Sequence, residues 1–316
     1  LNFAVQKTID RIIFLRICED RGIEHYGTLQ SLLNGTKVYE RLRELFRKAD
    51  DRYNSGLFHF TKEKQRREDP DEWTLALKID DKVLKEILQH LYYPDSPYEF
   101  SVVGAEILGH VYEQFLGKVI RLTSGHRAVV EDKPEVKKAG GVFYSPTYIV
   151  DYIVQQTVGN LVEGKEPHEV AGRTKTTWKP AKGLRPLSVL DPACGSGSFL
   201  LGAYQFFLDW YRDWYVGHNP AKHKDRIYQT RKDQWRLTTA ERKRILVDHI
   251  YGVDIDSQAV EVTKLSLLLR VLEGETTETL QRQLFSKQRA LPDLADNIKC
   301  GNSLVGGTSV AGSIPI

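Results

Sequence analysis

Apolar positions recur with helical spacing through the first third of the chain. Further on they contract into short runs separated by glycine-rich turns. Residues 5–18 are apolar at Val5, Ile9, Ile12, Ile13, Phe14, Leu15 and Ile17. That stripe is too broad for a surface helix and predicts one buried on most sides, stopped at Gly22. Val38, Leu42, Leu45, Phe46 and Ala49 mark the core face of a second helix, with Thr36 placed to cap it. A third helix runs through Leu84, Ile87, Leu88 and Leu91, capped by Asp80 or Asp81 and ended by Pro94. A fourth carries Ile107, Leu108, Val111, Tyr112, Phe115, Leu116 and Val119. On this pattern residues 1–122 form an all-helical connector domain, residues 123–140 a polar linker, and residues 141–316 a second domain of another class.

In the second domain Ser145 fits an N-cap and Pro146 a first helical turn, with Ile149, Ile153 and Val154 turned to a core. A loop rich in Lys, Thr, Gly and Pro leads to the apolar run 187–190, long enough for one buried strand. Asp191 and Pro192 end that strand. Gly195, Ser196 and Gly197 permit a sharp turn, and an apolar helix follows from Phe199 to about Tyr215. A second strand is predicted at 249–253, then Asp254, Ile255 and Asp256, with Asp256 as N-cap of a helix over 259–272 that Gly274 terminates. Residues 297–300 make a weaker third strand, closed by Gly301, Asn302, Ser303 and Leu304. Strand, acid, glycine turn, helix, strand, acid is the opening of an α/β unit whose ligand lies beyond the carboxyl ends of the strands.

The acid narrows the chemistry. A phosphate-binding turn presents backbone N–H groups at a helix start, and Asp191 would repel phosphate. It suits a ligand with a cationic group, such as an amino-acid ammonium. Leu200 stands where the dinucleotide fingerprint has its third glycine, which disfavours a nicotinamide dehydrogenase. Between the second domain's first helix and its second strand lies a long insertion, 216–248. Nine Lys or Arg and three acids fall within residues 222–244, interleaved with Tyr228 and Trp235. Such a run either meets a phosphate backbone or is a solvated face. Thr238 and Glu241 have the spacing of a capping box for its last helix.

Composition adds bounds. The 316 residues, 41% hydrophobic with net charge +3, allow roughly two globular domains. No apolar run nears the roughly 20 residues of a membrane helix, and charges throughout residues 1–20 are unlike an export signal. Cys18, Cys194 and Cys300 lie far apart without metal-ligand spacing, the pattern of reduced thiols in a cytoplasmic protein. The chain begins with Leu and holds no Met, so a piece of a longer chain, or one with residues missing, is expected.

The string Asp191-Pro-Ala-Cys-Gly-Ser-Gly-Ser-Phe199 resembles the S-adenosylmethionine loop of gamma-type adenine-N6 DNA methyltransferases. The flanking stretches GGVFYSPTYIVDYIV and YGVDIDSQAVEVTKLSLLL resemble those of the fused type IIG restriction-modification enzymes, and the likeness extends to about Gly306. The resemblance implies a Rossmann-like S-adenosylmethionine-dependent methyltransferase domain, here truncated, behind the helical domain. It also implies a site-specific adenine-N6 methyltransferase acting on double-stranded DNA, with nuclease and target-recognition domains elsewhere in the protein. Carried over residue by residue, the cofactor contacts are Tyr144, Ser145 and Pro146; Asp191, Ala193, Cys194, Gly195, Ser196, Gly197 and Phe199; Asp254 for ribose and Ile255 against adenine; and Asn302 and Ser303 near the adenine edge. Many relatives have Asp where Asn302 stands.

The same family uses an Asn/Asp/Ser-Pro-Pro-Tyr/Phe loop, after a fourth strand, to hold a flipped adenine. That loop does not occur in these 316 residues. Asn219-Pro220-Ala221 and Ser145-Pro-Thr-Tyr148 are only partial likenesses at the wrong positions, so no catalytic residue is assigned and the chain alone is expected to be inactive. The family's strand order, 3-2-1-4-5-7-6, makes the strand 187–190 central. Without a fourth strand its edge is bare, a hazard that residues 309–316 or a second molecule are expected to cover. Two other functions fit the residues: methyl transfer to a protein amide, or a non-catalytic fragment that binds cofactor or DNA.

Overall fold

A computed structural model describes residues 2–53, 56–62, 69–102, 104, 107, 109, 112, 118–125, 127–132, 145–230, 234–275 and 291–304. The chain divides into two compact units: residues 1–108, 117–138 and 268–295, and residues 109–116, 139–267 and 296–316.

The first unit is built on α1 (Asn2–Asp20), α2 (Val38–Tyr53), the short α3 (Glu72–Leu75) and α4 (Asp81–Gln89). As its apolar pattern requires, α1 is buried almost all round, and its buried positions include charges. Arg11 is 1% exposed; it donates to Asp71 (2.7 Å), the Thr74 hydroxyl (2.6 Å) and the Leu57 carbonyl (2.8 Å), with its guanidinium 4.6 Å from the Phe60 ring. Burial pushes the Asp71 carboxyl up, but Arg11 and the Thr74 donors more than reverse this and hold it below the usual range. The cap of α2 differs from the expected one: the Asp81 carboxylate, not Thr36, accepts from the Lys37 and Val38 amides. The α4 cap is Asp80, one of the two candidates in the sequence.

This region is not all-helical. Val119 and its neighbours form β1 (Lys118–Leu122), which pairs antiparallel with β2 (Ala128–Asp132), a stretch read from sequence as linker. Cross-strand pairs Lys118–Asp132 and Arg121–Glu131 line the ladder, and Asn2 exchanges two hydrogen bonds with the Ile120 backbone. Opposite charges facing each other favour strands where side-chain hydrophobicity alone does not announce them.

The second unit centres on a parallel sheet in the order β3 (Val189–Asp191), β6 (Ile250–Asp254), β7 (Ile298–Cys300). Before it come α5 (Thr147–Val154), extended by a π turn at Gln155–Gly159, and the one-turn α6 (Pro167–Val170). Pro146, not Ser145, holds the N-cap position of α5, and no side chain caps it. The core face of α5 is the row Val150, Val154, Val158 and Val162, whereas Ile149 and Ile153 are exposed. Val150 lies so close to Gly202 that a β-carbon there would collide with it.

After β3 the chain enters α7 (Ser198–Gly217), an apolar helix with Leu200, Tyr204, Phe207 and Tyr211 fully buried. The insertion forms a small antiparallel ladder, β4 (Ile227–Gln229) with β5 (Trp235–Leu237), before α8 (Thr239–His249). Thr238 caps α8 through the Glu241 amide. The Glu241 side chain does not close the capping box; it accepts from Arg244, Arg226 and the Tyr215 hydroxyl instead. Arg244 also bonds Asp248, which takes Arg173, and Arg226 lies 3.7 Å over the Trp178 ring. Two of the nine basic residues of this segment are thus internal struts. α7, at 1.5 Å per residue, places the start of the insertion ~30 Å along the helix from the glycine turn. α9 (Ser257–Val271) follows β6, with Asp256 as its cap through the Gln258 amide.

His249 ends α8 at the first step of β6. It is fully buried, stacked on Phe207 at 4.5 Å, with Nδ1 at 2.6 Å from the Leu187 carbonyl and Nε2 at 2.9 Å from the Tyr211 hydroxyl. Burial lowers its pKa to about 4. The unfolded chain therefore binds the extra proton first, and stability falls as pH drops from about 6.5 to about 4, by at most about 3 kcal/mol. The variant H249F should lack this component; urea midpoints of both proteins across that pH range measure it.

Candidate functional site

The carboxyl ends of β3 and β6 lie side by side because the strands are parallel and in register, with Asp191 opposite Gly252. Asp254 stands two residues beyond that pair, so the two acids flank the β3–α7 turn. Gly252 is glycine for a packing reason: a β-carbon there would sit 2.6 Å from the Leu200 Cδ1 and 3.2 Å from the Cys194 sulfur. The turn therefore rests directly on β6, and the Cys194 amide donates to the Val253 carbonyl at 2.9 Å.

Asp254 holds both loops that meet here. Its Oδ2 accepts from the Gly195 amide and its Oδ1 from the Asp256 amide, each at 2.8 Å. Its own carbonyl accepts from the Gly301 amide at 2.9 Å, which ties in the end of β7. The Asp191 carboxylate accepts from the Ala193 amide at 3.1 Å. Burial raises the Asp191 pKa, the Ala193 amide opposes the rise, and the Asp254 charge adds to it. The same burial and both carboxylates push the Cys194 thiol up to about 12, so it is an inert packing group.

The turn presents backbone more than side chains. Cys194 and Ser196 are buried, 5% and 2% exposed. Gly195 (φ +53°) and Gly197 (φ +86°) both occupy the left-handed region. Their surroundings differ. Among the described residues a β-carbon on Gly195 would meet nothing within 4 Å, whereas one on Gly197 would strike Thr263 at 2.8 Å. Phe199 is half-buried at the start of α7, and Ala193 is exposed on the turn. Ile255, 75% exposed, caps the end of β6, and Asn302 is exposed after β7, its Oδ1 accepting from the Leu304 amide at 2.9 Å. Ser303 is half-buried beside it. Of the remaining expected contacts, Ser145 and Pro146 precede α5, and Tyr144 lies outside the described residues. The structure thus brings Asp191, Ala193, Gly195, Asp254 and Ile255 to one end of the sheet, with Asn302 following the neighbouring strand.

That end of the sheet is an acidic ledge, floored by the glycine turn and walled on one side by Ile255. Residues 169–307 match the family model described as the MmeI DNA-methyltransferase domain. The chain is 34% identical over 305 residues to the type II restriction enzyme and methyltransferase RM.Eco57I of Escherichia coli, an alignment covering 96% of this chain and 27% of that protein. Over nearly its whole length the chain is thus similar to proteins named as type II restriction enzymes and methyltransferases. It is also 26% identical over 368 aligned residues to a putative type II restriction enzyme and methyltransferase, RM.MjaORFECS2P, of Methanocaldococcus jannaschii, again covering 96% of this chain and 27% of the relative. The adenine-specific methyltransferase BrxX of Escherichia coli O9:H4 is 28% identical over 182 residues, 52% of this chain and 13% of that protein. The chain therefore spans about a quarter of the length of the restriction-modification relatives it matches.

The match of residues 169–307 to a DNA-methyltransferase domain implies a methyl donor. Among the described residues no group of three or more His, Cys, Asp or Glu is arranged to hold a metal, and no helix is long and apolar enough to cross a membrane. Of the residues that shape the turn, sequence reasoning passed over Thr263. Its only sequence signal is a hydroxyl among the apolar positions of α9.

The two glycines separate experimentally. Gly197→Ala combines a left-handed β-carbon with a collision and should lose more than about 2 kcal/mol of stability. Gly195→Ala carries the strain alone, about 1 kcal/mol. Chemical denaturation of both variants measures the difference, and equal losses would contradict the packing described here.

Proposed function

We propose that this chain supplies the S-adenosylmethionine-binding half of a Rossmann-like adenine-N6 DNA methyltransferase within a restriction-modification protein. The observation that carries the reading is the pair of carboxylates, Asp191 and Asp254, flanking the open surface of Gly195 at the carboxyl ends of two adjacent parallel strands. A phosphate-rich ligand would be repelled there. S-adenosylmethionine offers an ammonium group and ribose hydroxyls instead, both of which carboxylates attract. The open space above Gly195 accepts a ligand that any β-carbon would obstruct.

In this reading Asp191 takes the ammonium group, Asp254 a ribose hydroxyl through lone pairs its two backbone bonds leave unused, and Ile255 lies against the adenine face. The Asn302 amide and Ser303 meet the adenine edge. The backbone of Ala193, Cys194, Gly195, Ser196 and Gly197, with Phe199 behind it, forms the floor, and Tyr144, Ser145 and Pro146 close over the methionine end. When bound, the cofactor supplies an electrophilic methyl group on a sulfonium. These residues hold that group and keep water from it, so rate enhancement rests on positioning and preorganised charge. The adenine-binding loop, the nuclease and the target-recognition elements belong to other parts of the protein, in line with the fraction of its relatives that the chain covers. The similarity to BrxX, an adenine-specific methyltransferase, favours adenine over the protein-amide alternative.

Three results test the reading. Full-length protein with labelled S-adenosylmethionine should transfer methyl to double-stranded DNA, recovered as N6-methyladenine; label in protein alone would overturn it. Asp254→Ala should weaken S-adenosylmethionine binding roughly 10- to 100-fold by calorimetry, the scale of hydrogen bonds to a charged group. Only an ionised Asp191 attracts an ammonium, so affinity should fall as the solution is acidified through its raised titration range. Asp191→Asn should bind weakly at every pH and lack that fall.

A further inference from the structure

Gly195 is the residue on which the glycine turn opens, and its peptide groups are gripped at both ends from outside the turn. The N–H is taken by Asp254 at the end of β6. The carbonyl accepts from the hydroxyl of Thr263, at 2.9 Å, one helical turn and a half into α9. Thr263 is 0% exposed and sits on the buried side of its helix. Its methyl and hydroxyl also lie against Gly197, where a β-carbon would meet the Thr263 Cγ2 at 2.8 Å and the Oγ1 at 2.9 Å. One side chain therefore fixes the Gly195 carbonyl and sets the close approach that makes Gly197 a glycine.

A buried hydroxyl needs a partner, and this one finds it in the turn, at the Gly195 carbonyl. The arrangement has a directional consequence. With its carbonyl drawn down toward α9 and its N–H drawn toward β6, the Gly195 backbone turns its hydrogen-bonding groups away from the open side. That side, where no described residue comes within 4 Å of a β-carbon, stays clear for a ligand. Release of the carbonyl would let the peptide rotate and push its oxygen, an added negative dipole, into a ledge already lined by two carboxylates.

We propose that Thr263 is a positioning residue of the methyl-donor site, acting through the Gly195 carbonyl to keep the face of the glycine turn open and correctly oriented. The proposal rests on the assignment of S-adenosylmethionine to this turn. It adds a residue that touches no ligand and lies outside the loop motif.

The test uses full-length protein and compares Thr263→Val, which keeps the shape and removes the hydroxyl, with Thr263→Ser, which keeps the hydroxyl. Calorimetry with S-adenosylmethionine and with S-adenosylhomocysteine should show Thr263→Val weakened about 5-fold or more for both, the effect of one neutral hydrogen bond. Thr263→Ser should return to within about 2-fold of the parent, a rescue that a purely steric role would not give. Amide hydrogen exchange of the unliganded proteins supplies a second readout: residues 193–197 should exchange faster in Thr263→Val and at the parent rate in Thr263→Ser. Parent-like affinity in Thr263→Val, or equal weakening in both variants, overturns the proposal. If the parent protein itself binds neither compound, the cofactor assignment fails rather than the role of Thr263.

Discussion

The Asp254 carboxylate accepts two backbone N–H groups from two different loops, Gly195 after β3 and Asp256 before α9, both at 2.8 Å. Each is a charge-assisted bond, worth about 1.5–3 kcal/mol in partly buried surroundings. Everything at this end of the sheet depends on that junction. The parallel pairing of β3 with β6 brings the loops within its reach, Gly252 lets the turn lie flat on β6, and Thr263 completes the grip on Gly195 from the other side. An acid at the end of the second strand thus has a structural duty before any ligand arrives. Loss of affinity on its removal would combine a lost ligand contact with a loosened turn.

The far end of the unit is held by different chemistry. His249 joins the approach to β3, the body of α7 and the start of β6 through two hydrogen bonds and a ring stack. Beside it the alternating series Arg226, Glu241, Arg244, Asp248 and Arg173 binds the insertion to α8 and to the loop before β3. Buried ion pairs add little net stability against apolar replacements, but leaving one partner alone costs several kcal/mol. The series therefore fixes how these segments pack more than how strongly. Trp178, held at φ +53° beneath Arg226, is the backbone strain that this packing sustains.

Where backbone geometry demanded one residue type, the sequence was readable. Gly195 and Gly197 announced a turn, Asp256 a cap, and Gly274 a helix end, because few alternatives satisfy those conformations. The strands around the turn were legible for the same reason, short apolar runs between such punctuation. Equivalent choices were not legible. Val150 and Ile149 are both apolar, and only the fit of Val150 against Gly202 decides which row of α5 is buried. Thr36 looked like a cap, but Asp81, distant in sequence, competes better for the same amides. The hairpin of β1 and β2 draws on cross-strand ion pairs that have no periodic signature. Arg226 and Arg244 read as part of a basic run facing either a phosphate backbone or solvent, because their partners are set by the fold. Among the described residues β3 pairs only with β6, and Leu190 is 60% exposed; residues 309–316, expected to cover that edge, lie outside the described residues.

The central claim is that the ligand of this domain lies over Gly195 between the two carboxylates. A crystal structure of the protein with S-adenosylhomocysteine tests it most directly. The account predicts density for the amino-acid end beside Asp191 and for the ribose beside Asp254, with the Gly195 carbonyl still bonded to Thr263. Ligand density elsewhere on the protein, or a Gly195 peptide turned over to receive the ligand, would contradict it.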